Sequence, residues 1–266
     1  MRHAFRAGFG TGRAPGVAPP AVVLSGPALA STVPFVPLDT TFDVRSDAGG
    51  KDPDQHSATL RRYHRLLWSK PLPSGAAFDL DDSTPGVYLH HKSALGEFFL
   101  GSDSAVPSFT RWKSMATLMS VFPENEHEAF RTAVYTIGGT IVFPSNGIDG
   151  KATLNGARGF NRRIADRMDL TLECIRRHYR GEDHPLAEAV ERYADFFTLF
   201  GDFRGFVNHF LLQDLVDDEQ VRFFMPFDEF QSSSVPDNAK AYREYRRLST
   251  EWIHARNRRI AALPLP

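Results

Sequence analysis

The sequence predicts an α+β protein, with a small, mostly antiparallel sheet in its N-terminal half packed against a helical C-terminal half. Three observations carry this. Short apolar and β-branched runs cluster before residue 145, the apolar period switches to 3.6 from Ile164 onward, and strands precede helices instead of alternating with them.

The 266 residues hold 42% hydrophobic and 24% charged residues. These are globular values, incompatible with collagen-like, coiled-coil or wholly disordered chains. Lys plus Arg number 31 and Asp plus Glu 32, for a net charge of −1. That balance excludes a uniformly basic nucleic-acid coat but not a local basic patch. The single cysteine, Cys174, rules out an internal disulfide and any cysteine-based zinc site.

Residues 1–38 are rich in Gly, Pro and Ala, with arginines as their only charges, and are expected to form a flexible extension. Ala28-Leu29-Ala30 loosely imitates a signal-peptide site, but Pro19, Pro20 and Pro27 interrupt the apolar run. No segment is long enough to span a bilayer, so a cytoplasmic protein without membrane partners is expected. Residues 39–266 are expected to form a single α+β domain. Its first stretch, 39–57, is polar and turn-forming around Asp47, Gly49, Gly50 and Pro53.

A helix is predicted from Thr59, where Leu60, Tyr63, His64 and Leu67 recur at helical spacing until Pro71 and Pro73 stop it. Val87–His91 and Gly96–Leu100 read as short strands. Tyr135–Phe143 reads as the clearest strand, ending at Pro144, with Gly138 and Gly139 marking a bulge or close backbone approach. Ala152–Asn155 is expected to return as its partner strand after the turn at 145–150. Ile164, Met168, Leu172, Ile175 and Tyr179 then share one helix face. Further helices are expected over Leu186–Phe200, Phe203–Leu215 and from near Asp237 through Ile260, with Val221–Pro226 as an extended insertion.

The densest polar constellation runs from Thr153 to Arg177. On a helix beginning near Ile164, Asp166, Asp169 and Glu173 fall within roughly 60° of one another, opposite the apolar stripe. Asn155, Gly156, Arg158 and Gly159 read as a turn before that helix, with Asn161 as its N-cap. Free N–H groups, the positive dipole end and Arg158, Arg162 and Arg163 would suit a phosphate. The expected site therefore has Asp169, Glu173 and Asp166 as catalytic groups for proton or metal work. Asn155, Arg158, Arg163 and Arg177 would hold phosphate. The competing reading pairs Asp169 or Glu173 with Arg176 or Arg177 on a solvated face.

Secondary candidates are Arg45, Lys70 and His90. Arg45, Asp47, Lys51, Asp52 and Lys70 form a second polar cluster in Gly- and Pro-punctuated loops. Tyr88–Ser93, with His90 and His91, is similar to the strand on which ADP-ribosyltransferases hold NAD, but no later Glu motif accompanies it. Arg177 and His184 have the Arg-x6-His spacing of helical RNases of the HEPN class. No P-loop, G-x-S-x-G, H-E-x-x-H or dinucleotide fingerprint occurs. Six arginines on the last helix admit a nucleic-acid contact or a solvated face.

Over about residues 40–260 the chain resembles a bacterial family of unknown function. The likeness rests on Arg45–Asp54, Leu67–Pro73, Tyr135–Gly139 and the Asp166–Tyr179 segment. It implies one intact domain and no particular activity. The expected function is an enzyme acting on a nucleotide or nucleic acid, with a toxin or defence effector as one form of it; the cofactor is left open, a divalent metal and NAD being the candidates. The alternatives are a non-catalytic module binding protein or nucleic acid and, below it, an ADP-ribosyltransferase.

Overall fold

The computed structural model describes residues 38–84, 87–110, 112–231 and 233–264. The extension expected over residues 1–38 lies outside the described residues, apart from Leu38.

Asp52 opens the first short helix, α1 (Pro53–His56), by accepting from the Asp54 N–H, with proline at the position where no N–H is needed. Ser57 then caps α2 (Ala58–Trp68) through the Leu60 N–H at 3.0 Å. The buried face of α2 carries Leu60, Tyr63, His64, Leu67 and Trp68. A hairpin follows, β1 (Leu89–Ser93) and β2 (Gly96–Ser104), closed through Gly96 at φ 132°. After α3 (Ala116–Met119) and α4 (Glu124–Val134) comes β3 (Thr140–Pro144), antiparallel to β2 with Ser104 opposite Thr140. The sheet order is β1-β2-β3, so β2 is central.

The second half is helical, as expected. It comprises α5 (Leu154–Phe160), α6 (Met168–Arg180), α7 (Ala187–Glu191), α8 (Ala194–Thr198) and α9 (Phe203–His209). A two-residue ribbon, β4 (Val216–Asp217) with β5 (Gln220–Val221), precedes the long α10 (Ala239–Ala261). One hydrophobic cluster joins sheet and helices. Phe196 reaches Phe98 of β2 at 6.0 Å, and Phe210 meets Trp68 of α2 at 5.3 Å between ring centroids.

Several boundaries differ from expectation for identifiable reasons. Ala152–Asn155 is not a strand. The Thr153 hydroxyl accepts from the Gly156 N–H at 3.2 Å and starts α5 there, while β2 takes the place beside β3. Tyr135–Phe143 is strand only from Thr140, because Ile137–Gly139 forms a 3-10 turn. The helix expected from Ile164 begins at Met168, since Ala165 (φ 48°) and Asp166 (φ 59°) are left-handed and break helical geometry. Asn161 caps the end of α5 and accepts from the Arg163 N–H at 2.9 Å. The run expected over Leu186–Phe200 is split into α7 and α8, and α9 stops at His209 before Leu211 turns left-handed at φ 56°. The helix α4 carries no expectation from the sequence.

The close approach expected at Gly138 and Gly139 is present. A Cβ on Gly139 would lie 2.1 Å from the Val134 carbonyl oxygen, and one on Gly138 would lie 2.5 Å from Asn257 Oδ1. Arg256 of α10, wholly buried, donates to the carbonyls of Gly138, Thr140 and Phe210 and so clamps α10 to this turn. Gly139→Ala is expected to lower stability by about 3 kcal/mol, visible as a reduced urea midpoint at unchanged slope. Gly147→Ala, where a Cβ meets nothing within 4 Å, should stay within about 0.5 kcal/mol of the parent.

Candidate functional site

Three segments distant in sequence converge beside the sheet. The Asp52 cap and Pro53 set α1 so that Asp54 meets the middle strand, where Ser102 Oγ donates to Asp54 Oδ1 at 2.6 Å. Asp103 follows on β2. The Met168 N–H donates to the Ala105 carbonyl at 2.9 Å, which ties the start of α6 to the end of β2 and brings the left-handed Asp166 alongside. Gly159 leaves room for that side chain, for a Cβ there would lie 3.1 Å from Asp166 Oδ2. Asp54, Asp103 and Asp166, with Asp52 and Arg45, line a cavity of about 370 Å³ whose wall includes Phe109, Trp112 and Tyr135.

Beneath the three carboxyls lies Arg158 of α5, fully buried. Its Nη1 donates to Asp103 Oδ2 at 2.6 Å, its Nη2 to the Asp166 carbonyl at 2.8 Å, and its Nε to Thr171 Oγ1 at 3.0 Å. The guanidinium also sits 5.3 Å from the Phe143 ring centroid. Burial pushes the Asp54 carboxyl up to about 6, helped by Asp52 and Asp166 and opposed by Ser102 and Arg158. Burial also raises Asp103 and Asp166, with Arg158 opposing in both. Asp103 is the one carboxylate that Arg158 bonds among the described residues, yet burial, with Asp54 and Asp166 nearby, outweighs that bond and holds Asp103 well above the ordinary carboxylate range. The three carboxyls thus form one cluster that holds protons above the ordinary carboxylate range. The Asp103 side chain retains 23% exposure, so the group meets the cavity.

The arrangement differs from the one expected from a helical wheel. Asp166 is in the cavity, but Asp169 and Glu173 are not. Asp169 is buried against Arg167 and accepts the Phe224 N–H at 2.9 Å. Glu173 bonds Arg176 and Arg177, each at 2.7 Å. Burial works against its charge, but those bonds outweigh it and hold the carboxyl below its usual range. The convergence fails because Asp166 precedes the helix instead of lying on it.

The expected phosphate ligands disperse as well. Arg158 spends its donors on protein acceptors. Asn155 donates to the Gly101 carbonyl at 3.3 Å, tying α5 to β2. Arg163 is exposed, and Arg177 reaches Glu229 while lying 5.1 Å from the Phe230 ring centroid. Of the secondary candidates, Arg45 lines the cavity and bonds Asp43 and Glu128. Lys70 lies 5.2 Å from the Trp68 ring centroid, and burial together with Arg256 lowers its ammonium to about 8. His90 bonds Glu97 at 2.9 Å and stacks on Phe99, away from the cavity.

Asp54 and Asp103 escaped sequence reasoning. The signal for Asp54 is the Asp-Pro-Asp helix start after Gly49-Gly50. For Asp103 it is a polar Ser-Asp-Ser run continuing a strand into buried Ala105 and Val106.

A larger hollow of about 580 Å³ lies between α4 and α10, lined by threonines, His254, Asn257 and Arg258 with no carboxylate. The three carboxyls raised by burial line the smaller cavity. No group of three His, Cys, Asp or Glu side chains among the described residues is arranged to hold a metal ion. No helix among them is long and apolar enough to cross a membrane.

Fold and cavity together define an α+β protein with a carboxylate-lined pocket over a buried arginine. The chain belongs to a family of unknown function, DUF6994, whose pattern matches residues 38–260. No curated protein and no solved structure matches it.

The raised Asp54 carboxyl has a stability signature. Its folded-state value of about 6 exceeds the ordinary 3.8, so between these values the native state binds more protons than the unfolded chain. The associated stability is present in acid and is lost as pH rises through about 6. Asp54→Asn removes that slope. Its thermal midpoint relative to the parent should climb between pH 4.5 and 7.5, by the equivalent of about 1–2 kcal/mol for this partly solvated group. The buried, neutral His64 and His209 impose the opposite slope on both proteins and cancel in the difference.

Proposed function

We propose that the chain is an enzyme acting on a nucleotide by carboxyl acid–base chemistry in the Asp54–Asp103–Asp166 cavity. The observation that carries this reading is the convergence of Asp54, Asp103 and Asp166 on one cavity around a buried arginine, where burial raises all three carboxyls. Such a cluster holds an acid and a base side by side near neutral pH. One carboxyl gives a proton to a leaving atom, and an ionised neighbour takes one from the attacking water. The cluster thus ends with the protons it began with.

The surroundings favour a substrate with three parts. Phe109, Trp112 and Tyr135 offer a wall for a flat ring. The carboxyls accept hydrogen bonds from sugar hydroxyls. Arg45 and Arg131 at the rim offer charge to a phosphate, although each also bonds acids: Asp43 and Glu128 for Arg45, Glu124 and Glu128 for Arg131. The volume of about 370 Å³ suits one small molecule.

The binding-module alternative draws less support. The exposed large hydrophobics among the described residues are three, Leu95, Val121 and Phe160, each on a separate segment. On α10, Arg246, Arg247 and Arg259 pair with acids and Arg256 is buried, which leaves little basic face for nucleic acid.

The test is a panel of nucleosides, nucleotides and NAD followed by chromatography of products. Turnover of a nucleotide is expected. Asp54→Asn and Asp103→Asn should each reduce it by about 100-fold or more while the fold persists. Trp112→Ala should raise KM more than it lowers kcat. Turnover indifferent to both aspartates, or none on any member of the panel, contradicts the proposal.

A further inference from the structure

Behind the cavity a chain of hydrogen bonds runs from the core to Asp54. Trp68 Nε1 lies 3.0 Å from His64 Nδ1, His64 Nε2 lies 3.0 Å from Ser102 Oγ, and Ser102 Oγ lies 2.6 Å from Asp54 Oδ1. Trp68 and His64 are fully buried and come from one turn of α2, at i and i+4. We propose that Trp68, His64 and Ser102 form a one-way hydrogen-bond relay that fixes which oxygen of Asp54 exchanges its proton. The relay rests on the acid–base reading of the cavity and adds positioning residues to it.

Its direction follows from valence. An indole N–H only donates, so His64 Nδ1 must present its lone pair. Two N–H groups facing each other at 3.0 Å would repel. Burial and the nearby cationic Arg256 keep the imidazole neutral, far below its ordinary protonation range. A neutral ring with a bare Nδ1 carries its proton on Nε2 and must donate to Ser102 Oγ. The serine hydroxyl then has one proton to give, and the partner available to it is Asp54 Oδ1. That oxygen is committed as an acceptor in both protonation states of the carboxyl, and Oδ2 is left to take and release the proton.

The charged groups around Asp54 act on the same carboxyl but do not choose between its oxygens. Asp52 from the cap of α1 and Asp166 from the turn before α6 favour protonation, and Arg158 from α5 opposes it. Asp103 on β2 belongs to the same cluster. Ser102 alone among these makes a directed bond to one named oxygen, and Trp68 decides the direction of that bond from two links away.

The experiment reads the relay without substrate, so its failure and failure of the nucleotide reading are separable. In the full chain labelled with 15N, the His64 imidazole should show the Nε2–H tautomer and stay neutral at pH 6. An Nδ1–H tautomer or a protonated ring overturns the proposal. The Asp54 carboxyl, followed by 13C, should titrate about one pH unit higher in Ser102→Ala than in the parent, with Ser102→Thr restoring it. Trp68→Phe frees the tautomer and should move Asp54 in the same direction by a smaller amount. If Trp68→Phe does not fold, the parent tautomer and the Ser102 pair still decide. An Asp54 midpoint unchanged in Ser102→Ala overturns the relay.

Discussion

The buried charge of Arg158 is the constraint on which the site depends. A guanidinium removed from water must find acceptors on every side, and those of Arg158 come from three parts of the chain. Asp103 and Ser104 are on β2, the Asp166 carbonyl is in the turn before α6, and Thr171 is on α6 itself. The aromatic face of Phe143 on β3 closes the set. Satisfying one cation therefore fixes the angle between sheet and helices. It also holds Ala165 and Asp166 in left-handed geometry that costs on the order of 1–3 kcal/mol per residue.

A second buried arginine shows what separates a site from a brace. Arg256 is equally buried, but its bonded partners are backbone carbonyls of Gly138, Thr140 and Phe210, and burial lowers its pKa to about 9. Both arginines knit the sheet region to a helix. Around Arg256 the neighbours are Trp68 and Trp252, and no carboxyl bonds it among the described residues. Around Arg158 there are more carboxyls than one cation can neutralise, and they open on a cavity. The excess of acid over base makes exchangeable protons there, and the solvent-facing wall makes them reachable.

Much of the fold is legible in local patterns. The apolar spacing of Leu60, Tyr63, His64 and Leu67, the stripe from Met168 to Tyr179 and the long last helix all follow a 3.6 period that core packing rewards. Strand boundaries were less legible. Ala152–Asn155 looks like a strand by composition, but the Thr153 hydroxyl supplies a cap that starts a helix. The site is legible only in fragments. Asp166 and Arg45 stand out as residue types, but the helical wheel puts Asp166 beside Asp169 and Glu173, and two left-handed residues undo that register. Asp54 and Asp103 become neighbours only when α1 docks on β2, a contact between segments nearly fifty residues apart. Nothing in either local sequence encodes the desolvation that changes their chemistry.

The chemistry of the cavity turns on where protons reside among the three aspartates. Neutron diffraction from deuterated crystals at pH 5, below the raised Asp54 value of about 6 and above an ordinary carboxyl, addresses this directly. The predicted result is a deuteron on Asp54 Oδ2 and the Ser102 deuteron pointing at Oδ1. Three bare carboxylates at that pH would contradict it, for the cluster would then hold no acid to pair with its base.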